Sequence, residues 1–265
     1  MSQTDDTPGP VTGNASKAPP RWRKLRSGLL YAVGLMIAFG NWNDTKELST
    51  SLYETAIAHF THQVELDQLD QLDVGNYLEY AENLFGIPQV VKASRLTPEL
   101  QYRYYKQDKF LLILQVEQER IAGYLLQSLP LANRFSAAGP FTPPIPFTAM
   151  ELDEAPLASL PFRDEGFSLD HHNLVYFLER HPLAADGLHL NLYLGITEYG
   201  EPIPGLSQAL GTLDQTLVFE QGDDRHQALE AVRQRYAPNL YGLSELDNSH
   251  MAEALLTRYE FNAYF

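Results

Sequence analysis

The chain has 265 residues, 44% of them hydrophobic, with 34 acidic against 19 basic side chains, a formal net charge of −15 and no cysteine. That size and apolar content suit one large or two small domains with a real core, and the missing cysteine excludes disulfides, zinc-thiolate sites and cysteine nucleophiles. The acidic balance excludes unaided nucleic-acid binding, since a phosphate backbone needs a basic face, and it favours basic partners or divalent cations.

Residues 1–20 are too poor in large apolar groups to fold and read as a disordered tail. The next stretch, 21–43, reads as a membrane anchor. Its uncharged run from Ser27 to Gly40 makes a helix of about 21 Å, short of the roughly 30 Å hydrocarbon core. Trp22 and Trp42, the only two tryptophans, extend it to about 30 Å and suit the two interfacial belts. Arg23, Lys24 and Arg26 can snorkel back to the headgroups. A secretory signal cleaved after Gly40, at Ala38-Phe39-Gly40, is the competing reading, and the tail of more than twenty residues ahead of the apolar run weighs against it. Basic residues crowd the amino side, so the positive-inside rule places the amino terminus in the cytoplasm and the remainder outside the inner membrane. Gly28 with Ala32 and Gly34 with Ala38 are small-xxx-small pairs that suit homo-oligomerisation.

Residues 44–70 read as a helical stalk, because Leu48, Leu52, Ala56, Phe60 and Val64 recur near four-residue spacing. Asp67 to Asp73, DQLDQLD, then ends or links helices; a calcium cage there needs a sharply turned loop that these residues do not provide. In 71–127, Asn76 with Glu79 resembles a capping box, Leu78, Ala81, Leu84 and Phe85 form one apolar face, and Gly86 with Pro88 stops the helix. The period then changes to two over Tyr102 to Lys106, Phe110 to Glu117 and Arg120 to Gln127, which predicts a three-stranded antiparallel meander. Leu111 and Ile113 with Leu112 and Leu114 make its middle strand apolar on both faces, so each face needs a cover.

Residues 128–161 hold seven of the seventeen prolines and read as a stiff connector packed on the surface. In 162–265, a second α+β half, Asn173 to Glu179 reads as a buried strand and Leu188 to Thr197 alternates, with Leu188, Leu190, Leu192, Leu194 and Ile196 on one side. Gln215 to Glu220 suggests a further strand. Asp224 to Tyr236 and Ser249 to Tyr259 read as helices, and the aromatic carboxyl end, Tyr259, Phe261, Tyr264 and Phe265, docks into the core. The fold class expected is α+β: a single amino-terminal transmembrane helix, then antiparallel meanders packed with helices.

The order helix, Gly86-Ile-Pro88, Tyr104-Tyr105 and Ile121-Ala-Gly-Tyr124 resembles an uncharacterised bacterial family with one amino-terminal membrane helix and a compact domain of unknown function. Tyr176-Phe-Leu-Glu179, Tyr193-Leu-Gly195 and Tyr199-Gly200 extend that resemblance to the second half. The helix-then-meander unit is also similar to the small lipoprotein subunit of the outer-membrane assembly machinery, although the lipoprotein cysteine is missing. Both likenesses fall within Leu72 to Gly205, and neither implies a catalytic residue.

Motifs for phosphate, dinucleotide or zincin chemistry are absent, and no cofactor is implied. Gly205-Leu-Ser207-Gln-Ala209 approximates a nucleophile elbow, but GEPIPG rather than a strand precedes it, so it reads as a loop entering a helix. His171, His172 and Glu179, with His181 and His189 nearby, lie on two neighbouring strands and their ends and are the candidate metal ligands; His172 and Glu179 differ by an odd number, which puts them on opposite faces of a regular strand. The function expected is that of a membrane-anchored, non-catalytic interaction or scaffolding protein whose acidic extracytoplasmic domain binds a protein partner in the cell envelope. A metal-dependent hydrolase and a secreted domain are the alternatives.

Overall fold

Runs of alternating and doubly apolar residues build one eight-stranded antiparallel sheet. The structure is a computed structural model that describes Val33 and residues 61–130, 139–160, 166–183, 189–199, 202–219 and 222–265. The expected tail, all of the anchor but Val33, and most of the stalk lie outside these residues. Among the described residues no helix is long and apolar enough to cross a membrane.

The first meander comprises β1 (Val90–Ala93), β2 (Leu100–Lys106), β3 (Phe110–Glu117) and β4 (Arg120–Ser128). The second comprises β5 (Phe167–Asp170), β6 (Tyr176–Pro182), β7 (Asn191–Thr197) and β8 (Leu240–Ser244). Each runs from an outer edge to the middle of the sheet, where β4 pairs antiparallel with β8. The second differs in carrying two helices between β7 and β8.

Leu112 and Leu114 of β3 enter one hydrophobic cluster and Leu111 and Ile113 the other, so the sheet is covered on both faces. One face lies under α1 (Gln63–Leu69), α2 (Leu78–Phe85), α3 (Leu206–Val218) and α4 (Gly222–Arg235). The opposite face lies under α5 (Asn248–Ala254) and α6 (Arg258–Tyr264). Each fully buried Leu or Ile of β3 contributes about 1.5–3 kcal/mol through burial, so this strand is anchored from both faces.

A β-bulge between β3 and β4 decides which β4 side chains reach which face. Val116 pairs with Ile121 and Gln115 with Gly123, leaving Ala122 as the extra residue. The alternation therefore changes phase, and Ile121, Tyr124 and Leu126 all pack on the α1 face, whereas strict period two from Ile121 sends Tyr124 to the other side.

Several expectations change. Asn76 does not cap α2: its carbonyl accepts Ile121 N at 2.9 Å and Tyr77 bridges to Arg120, so this segment is extended and the helix starts two residues later, without a side-chain cap. Gln215 to Glu220 is not a strand; Gln215 to Val218 belong to α3, whose face Leu206, Leu210 and Leu213 is buried at helical spacing. The helix expected over Ser249 to Tyr259 is broken at Leu255 to Thr257. There the Leu256 amide donates to Tyr199 Oη at 2.7 Å, and Thr257 opens α6 with a complete capping box to Glu260. The proline-rich stretch is not confined to the surface, because Phe141, Ile145, Leu152 and Leu157 are core residues. At the carboxyl end, Phe261 stacks on Tyr199 at 4.9 Å and 7°, while Tyr259 stays 74% exposed.

Candidate binding cavity

The stretch DQLDQLD places leucine and aspartate on separate rows because both recur every third residue. Leu66, Leu69 and Leu72 turn toward the core, where Leu69 and Leu72 are buried, and Asp70 and Asp73 remain exposed. Helix α1 ends at Leu69, with the Asp70 amide bonded to Leu66 O at 2.9 Å. The chain then turns at Gly75, whose φ of 92° suits glycine. The Gly75 amide donates to Ile121 O at 2.7 Å, which clamps this turn to the start of β4.

Between this turn and the sheet centre lies a half-open cavity of about 680 Å³, within the roughly 300–1,000 Å³ typical of ligand sites. Its floor is Tyr124 of β4 with Tyr241 and Leu243 of β8. One wall is α1 and its following turn, including Asp70 and Asp73; the other is Pro143, Pro144, Pro146 and Phe147. Among the described residues, no lining residue is Lys, Arg or His.

The proline wall is rigid for local reasons. Ile145 N donates to Met150 O at 2.8 Å and Leu152 N to Pro143 O at 3.0 Å, closing a tight loop whose tip is Phe147. Phe147 has φ 60° and is 58% exposed. A bulky side chain in the left-handed region carries a steric cost of order 1–3 kcal/mol. Here it holds an aromatic ring in solvent at the cavity mouth.

Tyr124 and Tyr241 cross at 6.3 Å in a T-shaped pair, 4% and 3% exposed. Neither hydroxyl has a hydrogen-bond partner among the described residues. Burial, then the charges of Asp73 and Asp70, raises the Tyr124 hydroxyl above its ordinary range. Burial, then Tyr124 and Asp70, does the same to Tyr241. Both stay neutral at physiological pH and can donate or accept.

The expected metal ligands are dispersed. Glu179 pairs across the sheet with Phe167, whereas His171 and His172 follow Asp170 at the far end of β5, about 10 Å away at about 3.3 Å per residue. Glu179 accepts Arg233 Nε at 2.8 Å and lies 3.3 Å from His181 Nε2. His171 Nε2 lies 3.4 Å from Asp214 Oδ2, with the His172 ring 3.9 Å from its own. Among the described residues, no three His, Cys, Asp or Glu side chains converge as a metal site.

Ser207, Gly211 and Asp214 form one stripe of α3, and His171 lies across it. The grouping has the members of a Ser-His-Asp triad but not its connections: Ser207 Oγ donates to the His171 carbonyl at 3.0 Å, not to a ring nitrogen that can take its proton. It fastens the β5–β6 turn to α3. As expected from its loop-like approach, Ser207 lies on a helix that begins at Leu206.

Trp22, Arg23, Lys24, Arg26 and Trp42, and the small-residue pairs Gly28 with Ala32 and Gly34 with Ala38, lie outside the described residues. The cavity residues Tyr124, Tyr241, Phe147 and Leu190 carry no motif. The nearest sequence signals were DQLDQLD and FTPPIPF, which read separately as a linker and a connector, yet they fold into opposite walls of one cavity. Comparison of the chain with protein-family models, with curated proteins and with solved structures gives no match.

Proposed function

We propose that this is a binding protein tethered to the inner membrane by Arg21 to Trp42, whose acidic extracytoplasmic domain receives a segment of another envelope protein in the cavity above Tyr124 and Tyr241. The observation that carries this reading is Phe147, an aromatic ring held in solvent by a strained backbone at the mouth of a half-open, apolar-walled cavity. Exposed aromatics beside a pocket supply much of the energy of protein recognition. The remaining negative charge supports the same reading: residues 1–27 hold five basic and two acidic side chains, so the rest of the chain carries the deficit behind the net −15 and attracts basic partners.

The test is a photocrosslinking phenylalanine analogue placed at position 147 of the full chain, with exposed Val218 as control position. In intact envelopes, position 147 is expected to yield a discrete adduct that position 218 does not. Identical adduct patterns from both positions, or no adduct at 147, would overturn the reading.

A further inference from the structure

We infer that the group entering the cavity is a basic side chain of the partner, a lysine or arginine flanked by apolar residues; this rests on the binding reading above.

Two independent features point to a cation. Among the described residues, the lining contains two carboxylates, Asp70 and Asp73, and no basic residue. Separately, Tyr124 and Tyr241 are each more than nine-tenths buried, line the cavity, and present hydroxyls without a partner among the described residues. Neither oxygen is a sealed, unbonded atom, so both are open to a hydrogen bond from the group that enters the cavity. An ammonium or guanidinium offers donors only. It turns both phenol oxygens into acceptors, places its charge near the two carboxylates, and gains further from the tyrosine ring faces.

The apolar part of the lining accounts for the rest of such a ligand. Leu66, Leu69, Pro143 and Pro146 form walls for the methylene stem of Lys or Arg, and Phe147 at the rim packs against a flanking apolar side chain. An anionic ligand meets two like charges here.

The experiment uses the full chain in nanodiscs of zwitterionic phosphatidylcholine and a library of capped hexapeptides randomised at every position. Selected peptides are expected to share one Lys or Arg beside bulky apolar residues. Replacing that residue by Gln, in the peptide, weakens binding about tenfold, the effect of roughly 1.4 kcal/mol. The Asp70→Asn/Asp73→Asn double variant shows the same loss with an unchanged melting temperature. Neutralising Asp223 and Asp224, exposed in the first turn of α4, to Asn leaves affinity unaltered. Added salt weakens the basic peptide but not its Gln form.

Selected peptides without a basic excess, or a basic preference that survives Asp70→Asn/Asp73→Asn, would overturn the assignment. If either occurs while position 147 still captures a partner, the cationic assignment falls and the binding reading stands. Loss of the adduct at 147 removes both.

Discussion

Glu179 of β6 and Arg233 of α4 meet at 2.8 Å with side chains only 1% and 4% exposed, joining the outer half of the sheet to the helix above it. Arg233 Nη2 also donates to Leu157 O and Leu160 O at 3.1 and 2.7 Å, so one guanidinium serves a strand and the turn from Leu157 to Ser159. Removing one partner strands a buried charge. Arg233→Met is expected to lower unfolding free energy by about 3–5 kcal/mol, and Glu179→Gln by less, because an amide oxygen still accepts. In a double-mutant cycle followed by urea unfolding, the combined loss should fall below the sum of the single losses. Additive losses would mean that the two groups act separately.

Glu253 fastens α5 to the loop after β1. Burial alone works against its ionised form, but hydrogen bonds from Ser94 Oγ, the Arg95 amide, Tyr102 Oη and the Arg95 side chain outweigh it and hold the carboxyl at about 2, below the ordinary 4.5. A lowered folded-state value stabilises the fold above the unfolded-state pKa and loses that stabilisation as pH falls from about 4.5 toward about 2. Urea midpoints should therefore decline across that window in the parent chain. Glu253→Gln should be less stable at neutral pH, on the order of 2 kcal/mol, and flatter through the same window. Equal slopes for the two proteins would count against the assignment.

Gly123 lies opposite Ser244 on the α5 face, beside a buried polar node. Ser244 Oγ donates to Gln115 Oε1 at 2.7 Å, and Gln115 Nε2 contacts Met251 Sδ at 3.1 Å. A Cβ at position 123 would overlap both the Ser244 hydroxyl and the Gln115 amide oxygen. Gly123→Ala should cost about 1–3 kcal/mol from overpacking. Pairing it with Ser244→Gly should recover part of the loss by restoring space; a double variant no better than the single one would place the strain elsewhere.

A carboxyl-terminal tag should sediment with membranes and become protease-sensitive once the outer barrier is opened, before the inner membrane is lysed. Protection until lysis would reverse the orientation and move the search for partners to the cytoplasm. Recovery of a soluble chain beginning at Asn41 would instead establish cleavage after Gly40.

Local physics reaches far into this fold. Leu111 to Leu114, apolar on both faces, announce a doubly covered sheet. Phe110 to Glu117 and the Leu192, Leu194, Ile196 row follow period two, and the α2 face of Leu78, Ala81 and Phe85 follows period 3.6; each pattern involves near neighbours and is legible in one dimension. Gln215 to Val218 misled because QTLV is short and β-compatible, and its place in α3 depends on continuity with Leu206, Leu210 and Leu213 upstream.

The cavity was decided elsewhere. By itself the sequence determined composition, charge, most strand and helix periods, and the two stretches, DQLDQLD and FTPPIPF, that became its walls. Only the tertiary structure joined β4 to β8 across more than a hundred residues, set Tyr124 against Tyr241, and placed those stretches opposite each other. The bulge at Ala122 turned Tyr124 to that face, and it arises from pairing with β3. The physical reason is that a side chain's own neighbours set its period, whereas the face it finally presents is set by register against strands distant in sequence.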